Sequence, residues 1–95
     1  MTDRQKLYND AINRFGIFNQ LGIAQEELAE LIVALSKIIR YKANSVTVGN
    51  LIEELADVEI MISQIKISLM ISETDIQTAK DAKLKRLREM LDNNA

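Results

Sequence analysis

VGNLIEELADVEIMISQIKISLMI, residues 48–71, is the stretch on which the fold turns. It holds no proline and one glycine, and its apolar residues do not alternate. Advance about 100° per residue from Glu54, the step of an α-helix. Leu51, Leu55, Val58, Ile62, Ile65 and Leu69 then cluster between roughly 20° and 100°, and Ala56, Ile60, Ile67 and Ile71 between roughly 200° and 260°. A helix apolar on two sides is buried on two sides. Glu54 and Asp57 fall in the seam between these faces, near 0° and about 300°, beside Met61, Gln64 and Ser68. The spacing thus predicts a long helix with two carboxylates partly shielded from bulk water.

The flanking sequence also reads at helical period. Residues 18–41 predict a second long helix with Leu21, Ala24, Leu28, Leu31, Ile32, Leu35, Ile38 and Ile39 on one face. A shorter helix is expected over 3–14, ended by Phe15-Gly16 because glycine weakens a helix interior. Ser45 or Thr47 is suited to cap the helix of 48–71. Ser72, three residues before Asp75, resembles a capping box that opens a fourth helix over 73–91. The breaks near 43–47 and 72–75 are too short for domain linkers. One domain over 1–95 follows, all-α, an antiparallel four-helix bundle. A chain of 95 residues builds a thin core, since at this size only about 60–65% of the unfolded surface is buried. A homo-oligomer is therefore expected. The face of Ala56, Ile60, Ile67 and Ile71 asks for a cover, either a second copy or the first helix of the same chain.

Composition excludes several classes. With no cysteine and no histidine, there is no disulfide, Cys/His zinc site, thiol nucleophile or histidine base. The Glu-x-x-His ligands of a di-iron bundle are likewise missing. Any metal must sit on oxygen ligands, which favours magnesium, manganese or calcium. Twelve basic against 14 acidic residues give a net charge of −2, which argues against an electrostatic grip on nucleic acid. The N-terminus has no apolar run of signal-peptide length. The most apolar stretch, 60–71, is short of the roughly 20 residues of a membrane span and is interrupted by Lys66. A soluble, cytoplasmic protein without membrane partners is the expectation.

Chemistry enters through two acid pairs, Glu27/Glu30 and Glu54/Asp57. Residues three apart are neighbours on one helix face, so each pair aims two carboxylates at one point. Glu27 borders the apolar stripe of its helix, and Glu30 lies one step out. Buried carboxylates are costly unless paired or metal-bound, and four converging ones repel. Two or three magnesium-type ions would resolve that conflict. Lys80 and Lys83 share the inward face of the fourth helix with Leu84, Leu87 and Leu91, Arg86 lies at its edge, and Lys37 lies on the Glu30 side of the second helix. Such cations suit a polyphosphate. The competing readings are plainer. Acid pairs at this spacing occur on solvated helices, the lysines can form a charged outer face, and a non-enzymatic helical interaction module needs no converging acids. A helix-turn-helix reader of DNA is disfavoured by the acidic balance.

The order Glu27-Leu28-Ala29-Glu30, spacer, Glu54-Leu55-Ala56-Asp57 resembles the MazG-like all-α nucleoside triphosphate pyrophosphohydrolases. Asn19-Gln20, EELAELIVALSKIIR, NLIEELADVEIMISQI and the closing KLKRL extend the resemblance over roughly 15–91. It implies hydrolysis of a (d)NTP between the α and β phosphates, giving monophosphate and pyrophosphate. It also implies a dimer or tetramer. Glu27, Glu30, Glu54 and Asp57 would bind Mg2+, with Mn2+ as a substitute, and a water acidified by the ion would attack. Glu30 and Glu54 both stand as candidates for the base that takes its proton. Glu26 and Glu53 would lie in an outer shell or face solvent. Lys37, Lys83 and Arg86 would contact phosphates, across a subunit boundary if need be. Gln20 and Gln64 are suited to a base edge, although a structural glutamine fits Gln64 equally well.

Overall fold

Local hydrogen bonds set the helix ends. In the computed structural model, which describes residues 1–93, the chain is all-helical, with four helices and no strand among the described residues: α1 (Asp3–Phe15), α2 (Ile17–Tyr41), α3 (Ser45–Ser68) and α4 (Glu73–Asn93). Thr2 Oγ1 accepts from the Gln5 N–H at 3.0 Å, and Gln5 Oε1 accepts from the Thr2 N–H at 2.8 Å. Two otherwise orphaned donors of α1 are thereby satisfied. Gly16, at φ 92° and ψ 148°, occupies a conformation that essentially only glycine adopts. It ends α1 and begins α2 within one residue.

α3 starts earlier than the pattern predicts, because its cap is Asn44 rather than Ser45 or Thr47. Asn44 Oδ1 accepts from the N–H groups of Val46 and Thr47 at 2.9 and 3.0 Å. Thr47 Oγ1 accepts from the Asn44 N–H at 3.0 Å and donates to the Lys42 carbonyl at 2.9 Å. α3 also stops earlier, at Ser68, since Met70 turns left-handed at φ 56°. Ser72 Oγ accepts from the Asp75 N–H at 3.1 Å, as the sequence predicts, and α4 follows.

α2 and α3 pair antiparallel in one register. Gln20 meets Gln64, Glu27 meets Asp57, and Glu30 meets Glu54. The seam they share is a row of buried or half-buried residues: Gln20, Ala24, Glu27, Leu31, Ala34 and Ile38 from α2, and Thr47, Leu51, Glu54, Val58, Met61, Ile65 and Ser68 from α3. Both rows step by four and three alternately, the spacing of knobs-into-holes packing. This corrects the stripe predicted for α2. Leu28, Ile32, Leu35 and Ile39 are exposed, whereas Gln20 and Ala34 are buried. The seam follows the heptad steps that keep two rods in contact, not the most hydrophobic positions.

α1 packs against both helices of the hairpin, with Ile12 buried. Its Leu7, Tyr8 and Ala11 line a groove of about 830 Å³ with Ala56 and Ile60. Tyr8 also lines a smaller groove with Ile67 and Ile71. The first helix of the same chain therefore runs along the second apolar face of α3. α4 comes within 8 Å, Cα to Cα, of none of the other helices. Its first turn is tied to the body by Lys66 Nζ and Glu73 Oε1 at 2.9 Å, and beyond Ile76 every described residue is exposed. The radius of gyration is 16.7 Å, against about 12.4 Å for a rounded domain of this length. No helix among the described residues is long and apolar enough to cross a membrane.

Candidate metal centre

Helix geometry and hairpin register act together on the four acids. Within each helix the i, i+3 spacing places two carboxyls on one edge. Between helices the register sets Glu27 level with Asp57, and Glu30 level with Glu54, one helical turn along. Carboxylate oxygens of Glu27, Glu30 and Glu54 all lie within 4.8 Å of one another. Asp57 stands against Glu27, near enough for the two carboxyls to share a proton, and Glu30 stands likewise against Glu54. All four predicted ligands are thus brought to one edge of the seam. Glu27 and Glu54 are half-buried, whereas Glu30 and Asp57 are exposed.

The cluster is electrostatically unsettled. Glu27 Oε2 and Glu54 Oε2 are both removed from solvent, and neither receives a hydrogen bond. Desolvation, first, and then the charge of Glu30 raise the pKa of each above the ordinary carboxylate value, with further repulsion from Asp57. An orphaned buried oxygen is expensive for a carboxylate. A hard divalent cation on oxygen ligands removes the expense, since it accepts the lone pairs that no donor reaches and cancels the repulsion. The donor set fits magnesium or manganese.

Lys37 lies beside the acids. With Glu30, Val33, Ala34, Asn50, Glu53 and Glu54 it lines a cleft of about 250 Å³ that opens from the cluster. Lys37 is exposed. Glu26 and Glu53 are exposed. Lys83 and Arg86 are not brought to the carboxylates by their own chain, because α4 stands apart from the hairpin. Lys80, predicted to face inward, is exposed with them.

The two glutamines bind each other. Gln20 Nε2 donates to Gln64 Oε1 at 2.7 Å, both residues are buried, and Asn19 Nδ2 donates to Gln20 Oε1 at 3.1 Å. This pair fixes the register of the hairpin two turns from the acids. Asn50 is the cleft residue that the sequence reading passed over. Its only signal was its place one turn before Glu54. The chain matches no protein-family model, no curated protein and no solved structure.

Proposed function

We propose that the protein is a magnesium-dependent nucleoside triphosphate pyrophosphohydrolase of MazG-like type, which cleaves a (d)NTP between the α and β phosphates to (d)NMP and pyrophosphate. The reading is carried by one observation: two facing helices each bury a carboxylate oxygen without a donor, on Glu27 and Glu54, and one oxygen from each of these residues and from Glu30 lie within 4.8 Å of one another. A purely structural cluster gains nothing from that arrangement. Glu27, Glu30, Glu54 and Asp57 would hold the metal, which supplies positive charge to the phosphates and acidifies a water. Manganese would substitute.

The chain's own side chains then have distinct tasks. Lys37 would draw a phosphate into the cleft beside the acids and offset the charge that the metal does not reach. Glu30 and Glu54 face each other, and either would accept the proton of the attacking water. Its neighbours would hold the reacting groups in place, which is most of what phosphoryl transfer requires of a protein. Lys83 and Arg86 would add phosphate contacts from a second subunit.

The test is an incubation with a panel of dNTPs and magnesium, read for monophosphate and pyrophosphate. Turnover of at least one nucleotide is expected, lost with chelator and lost in Glu54→Ala and Asp57→Ala proteins that keep their helical content. Metal binding with no turnover across the panel would refute the reading.

A further inference from the structure

Both ends of the α2–α3 hairpin are tied, and the acids lie between the ties. At the closed end Thr47 Oγ1 donates to the Lys42 carbonyl at 2.9 Å, which joins the first turn of α3 to the end of α2. At the open end Gln20 Nε2 donates to Gln64 Oε1 at 2.7 Å. Among the described residues no other hydrogen bond joins a side chain of α2 to a side chain of α3. The two glutamines are 5% and 6% exposed. Asn19 Nδ2 donates to Gln20 Oε1 at 3.1 Å, so the Gln20 amide presents its N–H side to Gln64.

A buried polar pair is a costly way to fill a seam. Replacing both partners by apolar groups of like shape is often neutral or stabilising. What such a pair supplies is alignment, as a single polar seam residue does in a coiled coil. Gln20 to Glu27 and Gln64 to Asp57 are each seven residues, two turns or about 10 Å on both helices. The glutamine rung therefore dictates which acids stand level. Slide α2 by three residues, so that Gln20 meets Met61, and Glu27 meets Glu54 while Asp57 is left level with Ala24. In the same move Gln64 comes to face Ile17, and both buried amides lose their partner, which is costly. The seam between the two rungs holds Ala24, Val58 and Met61. Apolar contact has no direction, so these residues fix the axial position less strictly than a hydrogen bond does. Carboxylates that repel one another press on that alignment whenever no cation joins them.

We propose that Gln20 and Gln64 are positioning residues for the carboxylates: their hydrogen bond holds α2 and α3 in the register that brings Glu27, Glu30 and Glu54 together, and thereby sets the affinity of the cluster for a divalent ion. The role presupposes that the acids bind such an ion, as in the proposed function, and presupposes no hydrolysis.

Mn2+ alone is the probe, with the free ion counted by electron paramagnetic resonance and stability followed by thermal melts in chelator. One variant joins Gln20→Met to Gln64→Met, which fills the seam without a directional bond. The other is Met61→Leu, an apolar exchange in the same seam. The double variant is expected to melt no lower than the parent, yet to bind Mn2+ about tenfold more weakly or worse, the usual effect of removing groups that orient metal ligands. Met61→Leu is expected to stay within about twofold of the parent, since such swaps conserve volume. A double variant that binds as tightly as the parent overturns the role and leaves the metal centre standing. Equal losses in both variants overturn it too, because any repacking of the seam would then suffice. So does a double variant that melts well below the parent, since the pair would then hold the chain together rather than align it. A parent that binds Mn2+ no better than Glu54→Ala removes the metal centre, and with it both this role and the proposed function.

Discussion

Glu54 shows how one side chain is placed against its own preference. It occupies a seam position where the neighbouring rows hold Leu51, Val58 and Met61, and one of its oxygens has neither water nor a donor. Without a cation, its carboxyl is held protonated to a higher pH than usual by desolvation and by Glu30. The sign of the linkage follows. The folded chain keeps protons that the unfolded chain has released, so the metal-free protein loses stability as pH rises from about 4.5 through the raised pKa values of Glu27 and Glu54. Glu54→Gln removes one charge while keeping the shape. In chelator it should melt a few degrees higher than the parent, and the gap should widen with rising pH across that window. In magnesium the order should reverse, because the parent alone gains from binding, by about 2.7 kcal/mol at a hundredfold excess over Kd. Thermal melts in both conditions decide it. A Glu54→Gln protein less stable than its parent in chelator would mean that the carboxylate is stabilised by something other than an ion.

The ends of the helices rest on two residues with different physics. Asn44 satisfies two N–H groups of α3, so Asn44→Ala should cost about 1 kcal/mol, a fall of roughly 4–8 °C in Tm for a domain of this size. Gly16→Ala should cost comparably, about 1–3 kcal/mol, though nothing lies within 4 Å of an added Cβ. Its penalty is backbone strain at φ 92° rather than a clash. Urea titration of the two variants measures both. These elements also show what was legible. Helical period gave four helices, and the i, i+3 spacing gave the acid pairs. Gln64, Met61 and Glu54 were rightly placed on one seam because α3 is so apolar that its polar residues stand out, but Asp57, placed with them, and Leu55, Ile62 and Leu69, read as a buried face, are exposed. On α2 the same reasoning failed. Leu28, Ile32, Leu35 and Ile39 looked like core, yet the buried row runs through Gln20, Ala24 and Ala34. Periodicity finds apolar faces but does not say which one an α-helix turns toward its own chain. Nor does local pattern fix a cap among Asn44, Ser45 and Thr47, three residues able to serve. The placement of α4 was out of reach for a related reason: an amphipathic helix announces that it needs a partner without naming one.

At the scale of the molecule, the single chain leaves much of its apolar surface uncovered. No large side chain is completely buried in the single chain, and α4 makes no helix–helix packing of its own. A solitary helix of this length is marginal in water. Ile32, Ile39 and Ile52 of the hairpin are exposed in the single chain. Covering them contributes about 25 cal/mol for each Å² of apolar surface, before the cost of bringing two chains together. If folded chains are stable only as a pair, unfolding yields two free chains from one assembly, and dilution favours the unfolded side by mass action. At about 0.7 kcal/mol of unfolding enthalpy per residue over both chains, a tenfold rise in protein concentration should raise Tm by about 4 °C. Calorimetry over a hundredfold range of concentration measures this directly, with chelator present to separate it from metal binding. If a second copy covers Ile32, Ile32→Glu should lower Tm at every concentration, since it would bury an unpaired charge. A melting temperature independent of concentration would show that the single chain hides its apolar rows unaided, with α4 as the only element free to do so.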